Sequence, residues 1–298
     1  MRLDDFRASE NVEDRRGMGG GGGIPIGRGG LGIGGIVVVL LISYFTGINP
    51  GALIGGYESA TGGREQEQAP SGRTGAPTDE AGKFVSLVLN STEVAWTDIF
   101  QEQVGSPYRA PRLVLFQGGT RSACGAAQSA MGPFYCPGDR KVYLDTAFFR
   151  EMRTRFNACP TDRGSCAFAQ AYVIAHEVGH HVQNVLGILP KVNQARQQAG
   201  ETEGNALSVR TELQADCFAG VWANKTQQRF NFIEEGDVEA ALKTAEAIGD
   251  DMLQKQSQGY VVPDSFTHGS AAQRKRWFTT GLQTGKLTSC NTFNARQL

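Results

Sequence analysis

Two histidines four positions apart, His176 and His180, form the pattern H-E-x-x-H, in which Glu177 follows the first histidine. On an α-helix this spacing puts both imidazoles on one face, one turn apart, where they can bind the same metal ion. Glu177 lies roughly 100° further round the helix axis, within reach of a water on that metal. The alternative is a buried helix that carries two hydrogen-bonded histidines. Because the chain has only four histidines, the pattern favours a catalytic zinc site with one Zn²⁺ per chain.

A catalytic zinc site usually takes three protein ligands and keeps an open position for water. A third histidine in the same run would stand six residues after His180, but that position is Leu186. Glu212 and Asp216 offer a second route, because residues four apart share one face of a helix. Glu212 would bind the metal, and Asp216 would orient one histidine through its other ring nitrogen. A solvated helix face would also explain the pair. The apolar residues around the two carboxylates predict that they are buried, however, and burying a carboxylate without a partner costs free energy. The pattern therefore favours the metal site.

The chain resembles the bacterial neutral zinc metallopeptidase family, a gluzincin-like group in which H-E-x-x-H is followed by E-x-x-A-D. The matching segments cover nearly the whole chain and lie at residues 2–7, 134–137, 143–145, 175–183, 212–217 and 267–270. The resemblance implies a zincin-like fold with zinc bound by His176, His180 and Glu212. It also implies hydrolysis of a peptide or protein substrate, in which the metal lowers the pKa of a water and Glu177 takes its proton. It implies no particular substrate.

The same resemblance places a late histidine and, six residues further on, an arginine beside the metal. Here these residues are His268 and Arg274. His268 would donate to the oxyanion that develops on the substrate; a loop or helix-capping histidine and a solvated arginine would also explain the two residues. His181, one position off the metal face, is expected to be structural or to support a ligand. By analogy, the strand expected at 141–145 would pair with extended substrate backbone.

The composition divides the chain into four segments. They are a disordered, glycine-rich cytoplasmic tail (1–28), a transmembrane helix (29–50), a flexible linker (51–78) and the zincin-like domain (79–298). The second segment has no charge and is long enough to span a bilayer; a signal peptide would follow a shorter tail, and a buried helix would be amphipathic. Arg15, Arg16 and Arg28 precede it, and the first charge after it is acidic. These charges predict a single-pass protein of the bacterial inner membrane, with a cytoplasmic N-terminus and an extracytoplasmic catalytic domain.

The domain is predicted to be α+β and mostly helical, with a small antiparallel sheet placed before the active-site helix. Apolar periodicity and capping residues indicate helices near 84–100, 145–156, 168–186, 206–224, 238–255 and 270–282. A buried strand is expected at 112–116, and a hairpin is expected to join 134–136 to 141–145. The small sheet and the helices together would position the H-E-x-x-H segment.

Six cysteines all follow the predicted transmembrane helix. In an oxidising compartment an even set favours disulfides, although the sequence leaves fifteen pairings open. Proximity along the chain favours two pairs, Cys124 with Cys136 and Cys159 with Cys166. The two cysteines that remain, Cys217 and Cys290, form the third predicted pair. A structural zinc site is disfavoured, because the chain has no C-x-x-C pair.

A net charge of −1 gives no reason to expect a nucleic-acid partner. Two functions from different classes therefore remain. The first is a membrane-anchored zinc metalloendopeptidase. The second is a catalytically silent binding or assembly protein that is tethered to the membrane and keeps the zincin fold. The complete set of candidate residues favours the enzyme, because a scaffold gains nothing from a proton-transferring Glu177.

Overall fold

The computed structural model describes residues 1–17, 72–128, 132–154 and 163–298. Helices dominate these residues, as the sequence predicts, and a small sheet packs against them. The α-helices are α1 (Glu80–Ile99), α2 (Ala147–Thr154), α3 (Arg163–Val185), α4 (Ile188–Gln198), α5 (Glu201–Phe230), α6 (Asp237–Ala247), α7 (Asp250–Gln258) and α8 (Ala271–Thr284). A π-helical turn at Phe100–Val104 extends α1, and 3₁₀ turns lie at Pro263–Ser265 and Leu287–Cys290.

The main sheet has five strands in the order β2-β1-β3-β7-β6. The strands of the structure are β1 (Val12–Asp14), β2 (Arg73–Thr74), β3 (Arg112–Phe116), β4 (Gly119–Ser122), β5 (Gly125–Gln128), β6 (Phe134–Cys136) and β7 (Lys141–Asp145). The predicted antiparallel sheet is corrected to a mixed one, because β3 pairs in parallel with both β1 and β7. The antiparallel β6–β7 hairpin was readable from its local turn, whereas the pairing of β3 with distant strands was not.

The first 17 residues belong to the sheet and the core, which corrects the predicted disordered tail for this part of 1–28. Val12 is fully buried, and the Phe6 ring lies 4.6 Å from that of Phe230 between centroids. The charged residues of this segment do not indicate disorder, because Glu13 and Arg15 are buried as an ion pair with 2.8 Å between Nε and Oε1. Residues 18–28 and the predicted linker up to position 71 lie outside the described residues.

The predicted transmembrane helix at 29–50 also lies outside the described residues. The predicted fold class is corrected to a mostly helical domain with a small mixed sheet, without the preceding transmembrane helix. In the part of the chain that the structure describes, no helix combines the length and the apolar character needed to cross a membrane. The predicted topology is contradicted by the pairing of two strands. Strands β1 and β3 are hydrogen-bonded neighbours, whereas a single span between them would put them on opposite sides of a bilayer. A single-pass protein with its N-terminus and catalytic domain on opposite faces is therefore not supported.

Glycines bring three helices of the core unusually close together. A Cβ atom added to Gly179 of α3 would lie 3.0 Å from the carbonyl oxygen of Ala215 on α5. One added to Gly220 of α5, or to Gly281 of α8, would overlap the backbone of the opposite helix. The short α3–α5 and α5–α8 distances allow side chains of all three helices to meet around the H-E-x-x-H segment.

Two of the predicted disulfides are present in the structure. Cys124 bonds to Cys136, which ties the β4–β5 hairpin to strand β6. Cys217 of α5 bonds to Cys290, which fixes the C-terminal segment against that helix. The third predicted pair includes Cys159, which lies outside the described residues.

Candidate metal centre

The structure brings His176, His180 and Glu212 together at one point. The Nε2 atoms of His176 and His180 lie 3.1 and 3.4 Å from the same oxygen, Oε2 of Glu212. One ligand atom from each of the three residues lies within 4.8 Å of the other two. Two imidazole nitrogens and one carboxylate oxygen are the donor set of many catalytic zinc sites. The chemistry and the spacing of these donors therefore fit a zinc ion.

His176 is oriented by a buried ionic network. Its Nδ1 lies 2.8 Å from Oδ1 of Asp216, whose two oxygens also accept from Nε and Nη2 of Arg274 at 2.8 and 2.9 Å. The Tyr172 hydroxyl donates to the same Oδ1 at 2.6 Å. Arg274 is only 3 % exposed, so it does not lie on a solvated face. The network fixes the His176 ring with its Nε2 directed at Glu212.

The charges of this network also set the protonation of its members. Burial by itself would lower the pKa of His176, but the Asp216 and Glu212 carboxylates outweigh burial and raise it to about 10. Burial would raise the pKa of Asp216, but Arg274 and His176 hold it below its usual range. Asp216 is therefore a permanent anion behind the first histidine, as expected for a carboxylate that supports a metal ligand.

Glu177 is buried and lines the cavity above the three candidate ligands. Burial raises the pKa of its carboxyl, and the two neighbouring histidines partly oppose the rise. A carboxyl with a raised pKa can take up and release a proton near neutral pH more readily than a solvated one. The position and the environment of Glu177 are thus suited to proton transfer.

His268 faces the same cavity from the loop before α8. Its Nδ1 lies 3.1 Å from Oδ1 of Asp250, while Oδ2 of Asp250 accepts backbone N–H groups of Thr267, His268 and Gly269 at 2.6, 2.6 and 3.1 Å. The Asp250 hydrogen bond raises the pKa of His268 despite partial burial. Sequence reasoning missed Asp250, because it stands 18 residues before the histidine and no motif links the two.

His181 is neutral and holds three parts of the structure together. Burial lowers the pKa of its ring to about 4. Its Nε2 donates to the carbonyl oxygen of Arg109 at 2.7 Å, and its Nδ1 accepts from the Tyr135 hydroxyl at 3.1 Å. Tyr135 belongs to strand β6, so His181 connects α3, which carries the candidate ligands His176 and His180, to that strand.

A cavity of about 490 Å³ opens above the candidate ligands. Its walls combine apolar side chains, among them Phe134, Phe148, Val173, Leu189, Val192 and Leu253, with polar ones such as Asn193 and Arg196. Strand β6 forms one side of the cavity and lies at the edge of the sheet. The strand at 141–145 that was expected to present a free edge is β7, which lies between β3 and β6. The edge beside the metal centre is therefore that of β6.

Comparison with known proteins identifies the family of the chain. Residues 1–293 match the family described as "Putative neutral zinc metallopeptidase", and the chain belongs to that family. It is 50 % identical over 301 residues to "Uncharacterized protein YpfJ" of Escherichia coli, covering 98 % of this chain and 99 % of the relative. It is 41 % identical over 239 residues to "Uncharacterized protein Rv2575" of Mycobacterium tuberculosis, covering 76 % and 75 % of the two chains. No solved structure gives a significant match.

Proposed function

We propose that the protein is a zinc-dependent metalloendopeptidase that cleaves peptide bonds in the cavity above His176, His180 and Glu212. One observation carries the proposal: the three candidate ligands converge below a cavity that Glu177 also lines. Membership of a zinc metallopeptidase family supports the same reading. Peptide or protein is accordingly the proposed substrate class.

His176, His180 and Glu212 would hold one zinc ion per chain. When bound, zinc lowers the pKa of a water and polarises the carbonyl of the scissile bond. Glu177 takes the proton of the attacking water and passes it to the leaving amine, a transfer that its raised pKa favours. These four side chains come from α3 and α5, whose close approach at Gly179 keeps them in register.

The oxyanion that develops on the scissile carbonyl needs a hydrogen-bond donor besides the zinc ion, and His268 supplies it. Because Asp250 accepts from Nδ1, a neutral His268 would keep its single proton there and present a lone pair at Nε2. The protonated ring donates from both nitrogens, and the raised pKa of His268 favours this form near neutral pH. Asp250 is thus a positioning residue that prepares His268 for donation.

The edge of β6 is proposed to bind the substrate backbone. An extended peptide can add to a free sheet edge through main-chain hydrogen bonds. The Tyr135 hydroxyl accepts from Asn184 Nδ2 at 2.9 Å and contacts His181, so this edge is fixed relative to α3. The apolar side chains of the cavity walls predict a preference for a large apolar side chain next to the scissile bond.

The decisive experiment compares zinc content and peptide hydrolysis in the wild-type chain, Glu177→Gln and a control, Glu239→Gln. Glu239 is exposed on α6, away from the cavity lining. Glu177→Gln is expected to keep its zinc and to lose roughly 10²- to 10⁴-fold in hydrolysis of a mixed peptide library. The control should match the wild type in both measurements.

Two results would overturn the proposal: a wild-type protein that binds no zinc, or hydrolysis that is unchanged in Glu177→Gln. Zinc binding without hydrolysis of any peptide would instead favour the catalytically silent binding or assembly protein. In that case Glu177→Gln would behave like the wild type in the cell.

A further inference from the structure

The second histidine, His180, is oriented by an amide instead of a carboxylate. Its Nδ1 lies 2.8 Å from Oε1 of Gln183, one turn further along α3. The other end of the Gln183 amide donates from Nε2 to the carbonyl oxygen of Thr211 at 2.7 Å and to Oε1 of Gln214 at 3.1 Å. Gln183 is fully buried, so the positions of its amide oxygen and nitrogen are set by these partners.

The hydrogen-bond chain continues to the C-terminal segment. Gln214 of α5 donates from Nε2 to the carbonyl oxygen of Cys290 at 2.9 Å. Cys290 forms the disulfide with Cys217, also on α5, which fixes that carbonyl relative to the helix. The chain therefore starts at a backbone acceptor and runs through two amides to the imidazole of His180.

Every link in this chain has one permitted direction. A backbone carbonyl can only accept, so Gln214 must present its NH₂ group to Cys290 and its oxygen to Gln183. Gln183 must then present its NH₂ group to Gln214 and its oxygen to His180. A flipped amide at either position would leave two acceptors or two donors facing each other, and each would be a buried polar group without a hydrogen-bond partner.

We propose that Gln183 and Gln214 form an amide relay that positions His180 for zinc. The relay holds an N–H of His180 at Nδ1 and so reserves the lone pair of Nε2, which lies 3.4 Å from Oε2 of Glu212, for the metal ion. The inference rests on the proposed zinc site and adds two positioning residues to it. It also makes the segment around Cys290, 110 positions after the ligand, part of the metal centre.

The two histidines are thus supported in different ways. His176 has the anion Asp216 behind it, whereas His180 has a neutral amide. A second carboxylate at position 183 could accept from His180 but could not donate to Thr211 or Gln214. The relay therefore explains why this position takes an amide, which satisfies two acceptors and adds no buried charge.

The test measures the zinc affinity of the full chain by competition with a chromophoric chelator, without any activity assay. Gln183→Met and Gln214→Met remove the amides at similar volume. Gln170→Met is the matched control, because Gln170 is a buried glutamine of the same helix whose amide donates to Sγ of Cys166. Thermal unfolding of each metal-free variant shows whether it is folded.

Gln183→Met is expected to bind zinc roughly 10- to 100-fold more weakly than the wild type, as is usual when the hydrogen-bond partner of a ligand histidine is lost. Gln214→Met should weaken binding in the same direction and to a smaller extent. Because both residues act through one relay, the double variant should be no weaker than Gln183→Met. The control should stay within about twofold of the wild type. Cobalt absorption spectra should change in the relay variants and not in the control.

The relay is overturned if Gln183→Met stays within about twofold of the control, or if the two single losses multiply in the double variant. If Gln183→Met does not fold, Gln214→Met decides: weaker zinc binding in a folded protein supports the relay, and unchanged binding refutes it. A wild-type chain that binds no zinc refutes the proposed function itself. Zinc binding that is equally tight in the wild type and in the relay variants refutes the relay alone.

Discussion

Residues 1–17 should be required for the fold of the domain that carries the candidate metal centre, although 54 residues separate them from position 72. A truncated chain that begins at residue 72 would lose β1, which lies between β2 and β3 in the sheet. It would also lose two hydrogen bonds to β3: Leu113 N–H to Asn11 at 2.9 Å and Arg15 N–H to Leu115 at 2.8 Å. A second chain tests the same point from the other side. Joining Gly17 to Gly72 through roughly three Gly or Ser residues keeps β1 and β2 as a hairpin with a short loop.

The size of the effect follows from the side chains that the truncation removes. Phe6 and Val12 are 8 % and 0 % exposed. Burying a side chain of this kind contributes roughly 1.5–3 kcal/mol, so the two together account for roughly 3–6 kcal/mol. The strand hydrogen bonds are left out, because their net gain is largely offset by the cost of ordering the strand. A loss of this size is a large part of the roughly 5–15 kcal/mol that stabilises a typical domain.

The assay is thermal unfolding of both chains by circular dichroism, with zinc removed so that metal binding does not contribute. The truncated chain is expected to unfold roughly 10 °C or more below the full-length protein, or to be insoluble. The internally deleted chain should unfold within a few degrees of it. The reasoning is refuted if the chain that begins at residue 72 is as stable as the full-length protein. It is also refuted if the internal deletion unfolds as early as the truncation.

Three further predictions concern the charged groups. Arg274→Met removes the guanidinium that donates to both oxygens of the buried Asp216 and leaves the His176 ring as its remaining cation. The metal-free protein should lose about 3 kcal/mol in urea denaturation, the lower end of the range for breaking a buried ion pair. Adding Asp216→Asn should recover most of the loss, and a single variant as stable as the wild type would contradict this. Asp250→Asn removes the anion that raises the pKa of His268. The alkaline limb of the pH–rate profile, where the ring loses its proton, should therefore move to lower pH. An unmoved limb would show that His268 does not donate in its protonated form. Burial opposes ionisation of Glu13, but hydrogen bonds from two basic side chains lower its pKa from 4.5 to about 2. The ionised Glu13 therefore stabilises the folded state by about 1–3 kcal/mol. This contribution is present above the pKa of the unfolded chain and is lost as the pH falls from about 4.5 to about 2. The advantage of the wild type over Glu13→Gln should therefore shrink across that range in acid titrations of stability, and a constant difference would contradict the assignment.

The parts of the site that the sequence predicts are those fixed by helix geometry. The spacing of His176 and His180 places both on one face of α3, and the spacing of Glu212 and Asp216 does the same on α5. Their meeting across the two helices could be inferred because buried carboxylates need partners. Asp250 and Gln214 could not be inferred in this way, since each acts through a contact with a distant part of the chain.

The errors have a common physical origin in the N-terminal region. Charge and glycine predict disorder for residues 1–28, yet Glu13 is buried because Arg15 and Lys141 both pair with it. The second partner is 128 positions away and cannot be seen in local composition. The sequence predicts an antiparallel sheet for the same reason. The turn between β6 and β7 is local, whereas β1, a parallel neighbour of β3, comes from the other end of the chain.

A six-residue stretch of α5, 212–217, supports both candidate ligand histidines at once. Glu212 faces the two Nε2 atoms, Asp216 bonds to Nδ1 of His176, and Gln214 lies behind the partner of His180. The last residue of the stretch, Cys217, forms the disulfide that fixes the end of the relay. All four contacts depend on the register of α5 against α3, which is set where Gly179 meets the backbone of Ala215. A shift of α5 by one residue would therefore displace the third candidate ligand and both histidine supports together. The register of this helix pair, more than any single side chain, thus defines the candidate metal centre.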